Sequence, residues 1–192
     1  LSGYGSYGLS TTPYYDAQRF PWLMRGGVVA ECSVRGGGEK GRAWHEAGRA
    51  ANKPNSHADF IACAERLIEL KLTSPPYLAI TGGSAGGLLA PPAGLKRPDL
   101  FKVVVPRVAV INPTRLAVAN NGPNQYAEMG DPNTEAGFKG LVAQDAYLML
   151  ADATASPDWF LTIGLNDRRV DPWMSAKFAA RALERFGDTR LV

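Results

Sequence analysis

At 192 residues the chain has room for one domain with a substantial core, and 45% hydrophobic against 20% charged residues excludes a disordered polymer. A net charge of +3, carried by interspersed Lys, Arg, Asp and Glu with no basic run, gives no footing for nucleic acid as a partner. No apolar stretch is long enough to span a membrane, so no membrane partner is expected, and the N-terminus LSGYGSYGLS has neither the charged nor the apolar region of a signal peptide.

The first apolar run, GVVAECSV (27–34), is β-branched, short and bounded by glycine, which predicts a buried strand. RGGGEKG (35–41) then forces a loop. SHADFIACAERLIEL (56–70) predicts a helix, with Ser56 as N-cap and Asp59 at the capping-box spacing. Phe60, Ala64, Leu67 and Ile68 recur along it at helical intervals. Cys32 on the strand and Cys63 on the helix show no metal-ligand spacing, and two buried thiols in a reducing compartment are expected.

YLAITG (77–82) is the next strand and runs straight into Ser84. FKVVVPRVAVI (101–111) is another, in which Pro106 points to an irregular spot or a sheet edge. DWFLTIG (158–164) is the last clear strand. WMSAKFAARALERF (173–186) is the last clear helix, with Phe178, Ala182, Leu183 and Phe186 on one side and Gly187 as its stop. TRLV (189–192) reads as the start of a further strand. Strands alternating with helices predict an α/β fold: a mostly parallel sheet with helices on both faces. In such sheets ligands sit beyond the carboxyl ends of the strands, where both Ser84 and Asp167 fall.

Gly82-Gly83-Ser84-Ala85-Gly86 matches the G-x-S-x-G nucleophile elbow. In that turn the serine takes a strained backbone conformation, and its neighbours two residues either side must lack a Cβ. The serine then stands at a helix N-terminus, where free N–H groups can receive a developing oxyanion. The rival phosphate-binding pattern G-x-x-x-x-G-K-[ST] is absent. Pro91 and Pro92 fall about two turns into the expected helix, which must therefore be kinked or short. Asp167, in TIGLNDRRVDPW (162–173), is the candidate acid, held ionised by Arg168 and Arg169. Its rival Asp171 precedes Pro172 and reads as a helix cap.

Together these stretches resemble the catalytic domain of the prolyl oligopeptidase family of serine peptidases. The matching segments are GYGSYGLSTTP (3–13), GGVVAECSVRGGGEKGRAWHEAG (26–48), NKPNSHADF (52–60), TSPPYLAITGGSAGGLL (73–89), RPDLF (97–101) and GLNDRRVDPWMSAKFAAR (164–181). RGGGE-x-G, GGS-x-GG and ND-x-RV in this order are far more specific than the elbow alone. The resemblance implies an α/β-hydrolase fold, incomplete at both ends, without the first strands, the last strand or the family's β-propeller. It implies Ser84 as nucleophile, Asp167 as triad acid, and the Tyr4 hydroxyl with the Ala85 N–H as oxyanion hole. It implies Arg169 on a substrate peptide carbonyl, and Tyr7 and Val170 as apolar walls of a proline pocket. No cofactor or metal is implied, and the partners are short peptides; the oligomeric state is open. Where the family has a pocket tryptophan and tyrosine, GPNQYAEMGDP (122–132) offers only Tyr126 and Met129, and Ala85 stands where many relatives carry asparagine.

His45 and His57 both precede Ser84, whereas the family's catalytic histidine follows the strand after the last helix. The resemblance thus places the base beyond residue 192, in an Asp- or Ala-Gly-His-Gly-like turn, and predicts a nearly inactive fragment. Here His45 belongs to the loop after RGGGE, and His57 to the first turn of a helix in a solvated or capping role. The expected activity is hydrolysis of short peptides after proline; an esterase or acylaminoacyl-peptide hydrolase, and an inert fragment, are the alternatives. A cytoplasmic location is expected, with a periplasmic or secreted one open.

Overall fold

A computed structural model describes residues 1–187; the strand expected at 189–192 lies outside them. Among these described residues three strands run parallel in the order β1 (Ala79–Gly83), β2 (Val103–Arg107) and β3 (Asp158–Trp159). Two further extended segments continue the sheet beyond β1. Residues 1–3 lie against it, with the Leu1 backbone nitrogen donating to the Ala79 carbonyl (2.8 Å) and the Thr81 N–H to the Leu1 carbonyl (3.0 Å). On their other side the Cys32 N–H donates to the Ser2 carbonyl (2.9 Å), and the Ser2 N–H to the Ala30 carbonyl (2.9 Å). The strand expected over 27–34 therefore shrinks to one bridge at Glu31. Its first half is consumed by a turn in which the Gly27 N–H donates to the Trp22 carbonyl and the Trp22 indole to the Val28 carbonyl, leaving Val28 exposed.

The helices are α1 (Phe20–Leu23), α2 (Arg42–Glu46), α3 (Lys53–Glu69), α4 (Ala90–Lys96), α5 (Tyr126–Met129), α6 (Glu135–Val142), α7 (Ala146–Met149) and α8 (Pro172–Arg185). Register puts Ile80, Val104 and Trp159 side by side on one sheet face, all buried. On that face α4 meets Ile80 and Val104 at Gly94, and the Phe178 ring of α8 stands edge-on to Trp159, 4.7 Å between centroids. Phe60 of α3 and Leu89 both sit against Gly3. Burial alternates along β1 and β2, so the opposite face, with Thr81, Val105 and Phe160, is half-buried to exposed.

Pro106 sits in the middle strand of the three, not at an edge. Its carbonyl accepts from the Thr162 N–H on the β3 side, so its missing donor faces the gap between Trp159 and the Arg107–Thr162 bridge. That gap is the irregular spot. Helix α3 begins three residues earlier than expected, with Asn52 at the N-cap and Pro54 in the first turn. Ser56 is not its cap: it is buried and donates to the Gly48 carbonyl (3.1 Å). Asp59 closes no capping box but grips Arg35, Oδ1 to Nη2 at 2.7 Å and Oδ2 to Nε at 2.8 Å. On α8, Phe178 and Ala182 are buried while Leu183 points to solvent. The two thiols expected to be free are a disulfide, Cys32–Cys63, with Cα atoms 6.3 Å apart. It ties the 30–32 segment of the sheet to α3.

Candidate active site

β1 ends in the turn that presents Ser84. The serine has φ +52°, the left-handed region that L residues enter at a cost. Its carbonyl accepts from the Val110 N–H (2.9 Å), which anchors the turn to the chain after β2. A Cβ at Gly82 would fall 2.3 Å from the Gly86 carbonyl oxygen, so glycine is required where the elbow doubles back. The α-helix expected to start at Ser84 does not form there. Residues Ser84–Leu88 make a 3₁₀ turn, Leu89 breaks the path (φ −110°, ψ −64°), and α4 starts afresh at Ala90. Pro91 and Pro92 thus occupy the first turn of a new helix, where a missing N–H costs little.

The elbow opens on a cavity of about 300 Å³. Tyr4, Tyr7, Ser84, Arg169 and Val170 all line it, so five of the seven residues singled out from sequence meet at one cavity. Ala85 is buried behind the turn. Asp167 lies on the Arg169–Val170 loop but not among the cavity-lining residues. Its Oδ1 accepts the N–H groups of Arg169 (2.8 Å) and Val170 (3.1 Å). Those N–H groups, Val170 first and then Arg169, hold the carboxyl below the usual carboxylate range, with a smaller contribution from the Arg169 charge. The ionising influence expected from two arginine side chains is therefore mostly that of the loop backbone. Asp171 starts α8, yet its side chain caps nothing; it accepts from the Asn120 N–H (2.8 Å) and side-chain amide and so fastens the loop below the cavity.

Burial raises the pKa of the Tyr4 phenol, opposed by the Arg169 charge and by its contact with Ser84. Tyr7 is raised further, by burial first and then by Tyr4 and Glu128. At neutral pH both phenols are protonated donors. The Tyr7 hydroxyl donates to the Gln125 side-chain carbonyl across the cavity. In the 122–132 stretch Met129 lines the cavity together with Gly122, Asn124 and Gln125, but Tyr126 packs against the core. Sequence reasoning missed those polar residues because nothing in their spacing distinguishes a pocket wall from a loop.

Neither histidine is available to Ser84. His45 Nε2 is 2.7 Å from Glu128 Oε2. His57, expected in a solvated or capping role, is fully buried, its Nε2 2.7 Å from the Leu88 carbonyl and its Nδ1 2.7 Å from Lys96 Nζ.

A sequence profile described as the prolyl oligopeptidase family matches residues 13–191. "Protease 2" of Moraxella lacunata is 39% identical over 94% of this chain and 26% of its own length. A prolyl endopeptidase of Dictyostelium discoideum is 35% identical over 97% of this chain and 25% of its own. A solved prolyl oligopeptidase B from Galerina marginata, bound to a 35mer hydrolysis and macrocyclization substrate, superposes with a TM-score of 0.92 at 30% identity. That superposition covers 100% of this chain and 27% of the other. The chain spans about a quarter of the length of the curated relatives it matches.

Proposed function

The chain belongs to the prolyl oligopeptidase family, and from that premise we propose that the protein carrying it is a serine peptidase cleaving short peptides on the carboxyl side of proline. Ser84 Oγ attacks the scissile carbonyl, and its proton passes through a histidine to the departing amine as the C–N bond breaks. Water, deprotonated by the same histidine, then releases the acyl group from Ser84. The Tyr4 hydroxyl and the Ala85 N–H receive the oxyanion. Asp167, kept ionised by its two backbone donors, orients the imidazole. Arg169 binds a substrate carbonyl, and Tyr7 and Val170 flank the proline ring. The engagement of His45 and His57 elsewhere supports a base supplied from outside the described residues, on the turn after a further strand.

The single observation that carries this reading is the left-handed serine at the β1 corner opening on a cavity it shares with Tyr4 and Arg169. A second reading, an esterase or acylaminoacyl-peptide hydrolase with broader acyl preference, is favoured by one feature: Asn124 and Gln125 stand where an aromatic stacking surface would be.

A fluorophosphonate probe on the full-length protein is expected to label Ser84, and Ser84→Ala to abolish labelling; absence of labelling in the wild type refutes the peptidase. Turnover of a Gly-Pro anilide together with the Gly-Pro ester supports the peptidase. Turnover of plain acyl esters alone supports the second reading.

A further inference from the structure

Lys53 opens α3 and is only 1% exposed. The placement is unfavourable twice over: a cation is buried, and it stands at the positive end of a helix dipole. Among the described residues it forms no ion pair; its ammonium donates to the Gly5 carbonyl (2.6 Å) and to the Ser6 hydroxyl (3.0 Å). Glu128, on α5, is a second buried charge. Its Oε1 accepts the Tyr7 N–H (2.8 Å), and its Oε2 is held by His45 from α2.

Three consecutive residues, Gly5, Ser6 and Tyr7, are thus gripped from below by two buried charges on different helices. The gripped loop is itself contorted. Gly5, Tyr7 and Gly8 have φ of +63°, +60° and +63°, and a Cβ at Gly5 would lie 2.4 Å from Val34 Cγ2. A non-glycine residue holds such a conformation only where its surroundings over-determine it. This loop carries Tyr4 at one end and Tyr7 at the other, the two phenols facing Ser84 and the cavity.

We propose that Lys53 and Glu128 are positioning residues of the hydrolytic site, clamping residues 5–7 so that the Tyr4 hydroxyl stays directed at the oxyanion formed when Ser84 attacks the scissile carbonyl. This deepens the peptidase reading and rests on it. Burial brings Lys53 down to about 8, opposed by the Glu128 charge, so the clamp is still charged at neutral pH.

The test is a double-mutant cycle in the full-length protein between Lys53→Met and Tyr4→Phe, with anilide hydrolysis as readout. Lys53→Met is expected to lower kcat about 10–100-fold with KM nearly unchanged, part of the roughly 10²–10³ that loss of one oxyanion donor costs. In the Tyr4→Phe background the same change should cost about twofold or less, because the donor it positions is gone. Equal losses in both backgrounds, or a kcat within about twofold of wild type for Lys53→Met, overturn the proposal. Melting temperature is read alongside. If Lys53→Met is unfolded at the assay temperature, Glu128→Gln takes its place in the cycle with the same two outcomes. A wild type without hydrolase activity refutes the proposed function instead. The clamp is then judged by amide exchange at Tyr7, expected to accelerate in Lys53→Met; unchanged exchange overturns it.

Discussion

His57 shows how one side chain's surroundings become a property of the whole protein. Buried between the Leu88 carbonyl and Lys96 Nζ, it is neutral, with Nε2–H donating and Nδ1 accepting. Burial first, and then the Lys96 charge, push it down to about 3, with Lys53 adding slightly and the Leu88 carbonyl opposing. A base lowered in this way takes up its proton in the unfolded chain first. Stability is therefore intact above pH 6.5 and is lost as pH falls from there towards 3. The slope contributed is about 1.4 kcal/mol per pH unit at most. Urea titrations at pH 7 and pH 4.5 are expected to show this loss, and His57→Gln to flatten it. A slope unchanged by His57→Gln would place the acid sensitivity elsewhere.

Elements here are shaped by where they must deliver a residue. The 3₁₀ turn after β1 is followed by a break at Leu89, and the two prolines begin α4 instead of interrupting it. The elbow is thus separated from the helix that buries Ala90, Pro91 and Pro92. The Cys32–Cys63 disulfide acts at the same scale, joining the short 30–32 segment to α3, the helix that also carries Lys53 and His57. Its loop spans a sequence separation of 31 residues. Cys32→Ala with Cys63→Ala is expected to cost about 2–4 kcal/mol by urea unfolding. Thiol titration of residues 1–192, denatured and unreduced, should find no free cysteine. Two titratable thiols would overturn the pairing.

Helices α4 and α8 pack against the Ile80–Val104–Trp159 face, while Phe160 on the other face is 43% exposed. Phe20, Trp22 and Met24 add further exposed apolar surface near the 30–32 edge. Apolar side chains left open to water favour association where they adjoin one another. Residues 1–192 produced alone are expected to bind a hydrophobic dye such as ANS and to self-associate as concentration rises, and Phe160→Ser to weaken both. A monomer that binds no dye would show these surfaces to be inert.

The parallel α/β alternation, the elbow at Ser84, the loop at Asp167 and the family are all legible in the amino-acid sequence. Each of these is written in local signals: runs of β-branched residues, glycines at fixed offsets, a contiguous motif. The sequence places Tyr4, Tyr7, Arg169 and Val170 only through resemblance, and the cavity they share is what the fold adds. The chain neighbours of Ser56, Asp59, Asp171 and the two cysteines suggest local roles, yet each of these residues takes a partner from elsewhere. Lys53 and Glu128 carried no local signal, since a buried charge looks like a surface charge until its surroundings are known. Such partnerships emerge with the folded chain, because hydrogen bonds, disulfides and burial depend on distance in space, and residues far apart in sequence, such as Lys53 and Glu128, come to serve one loop.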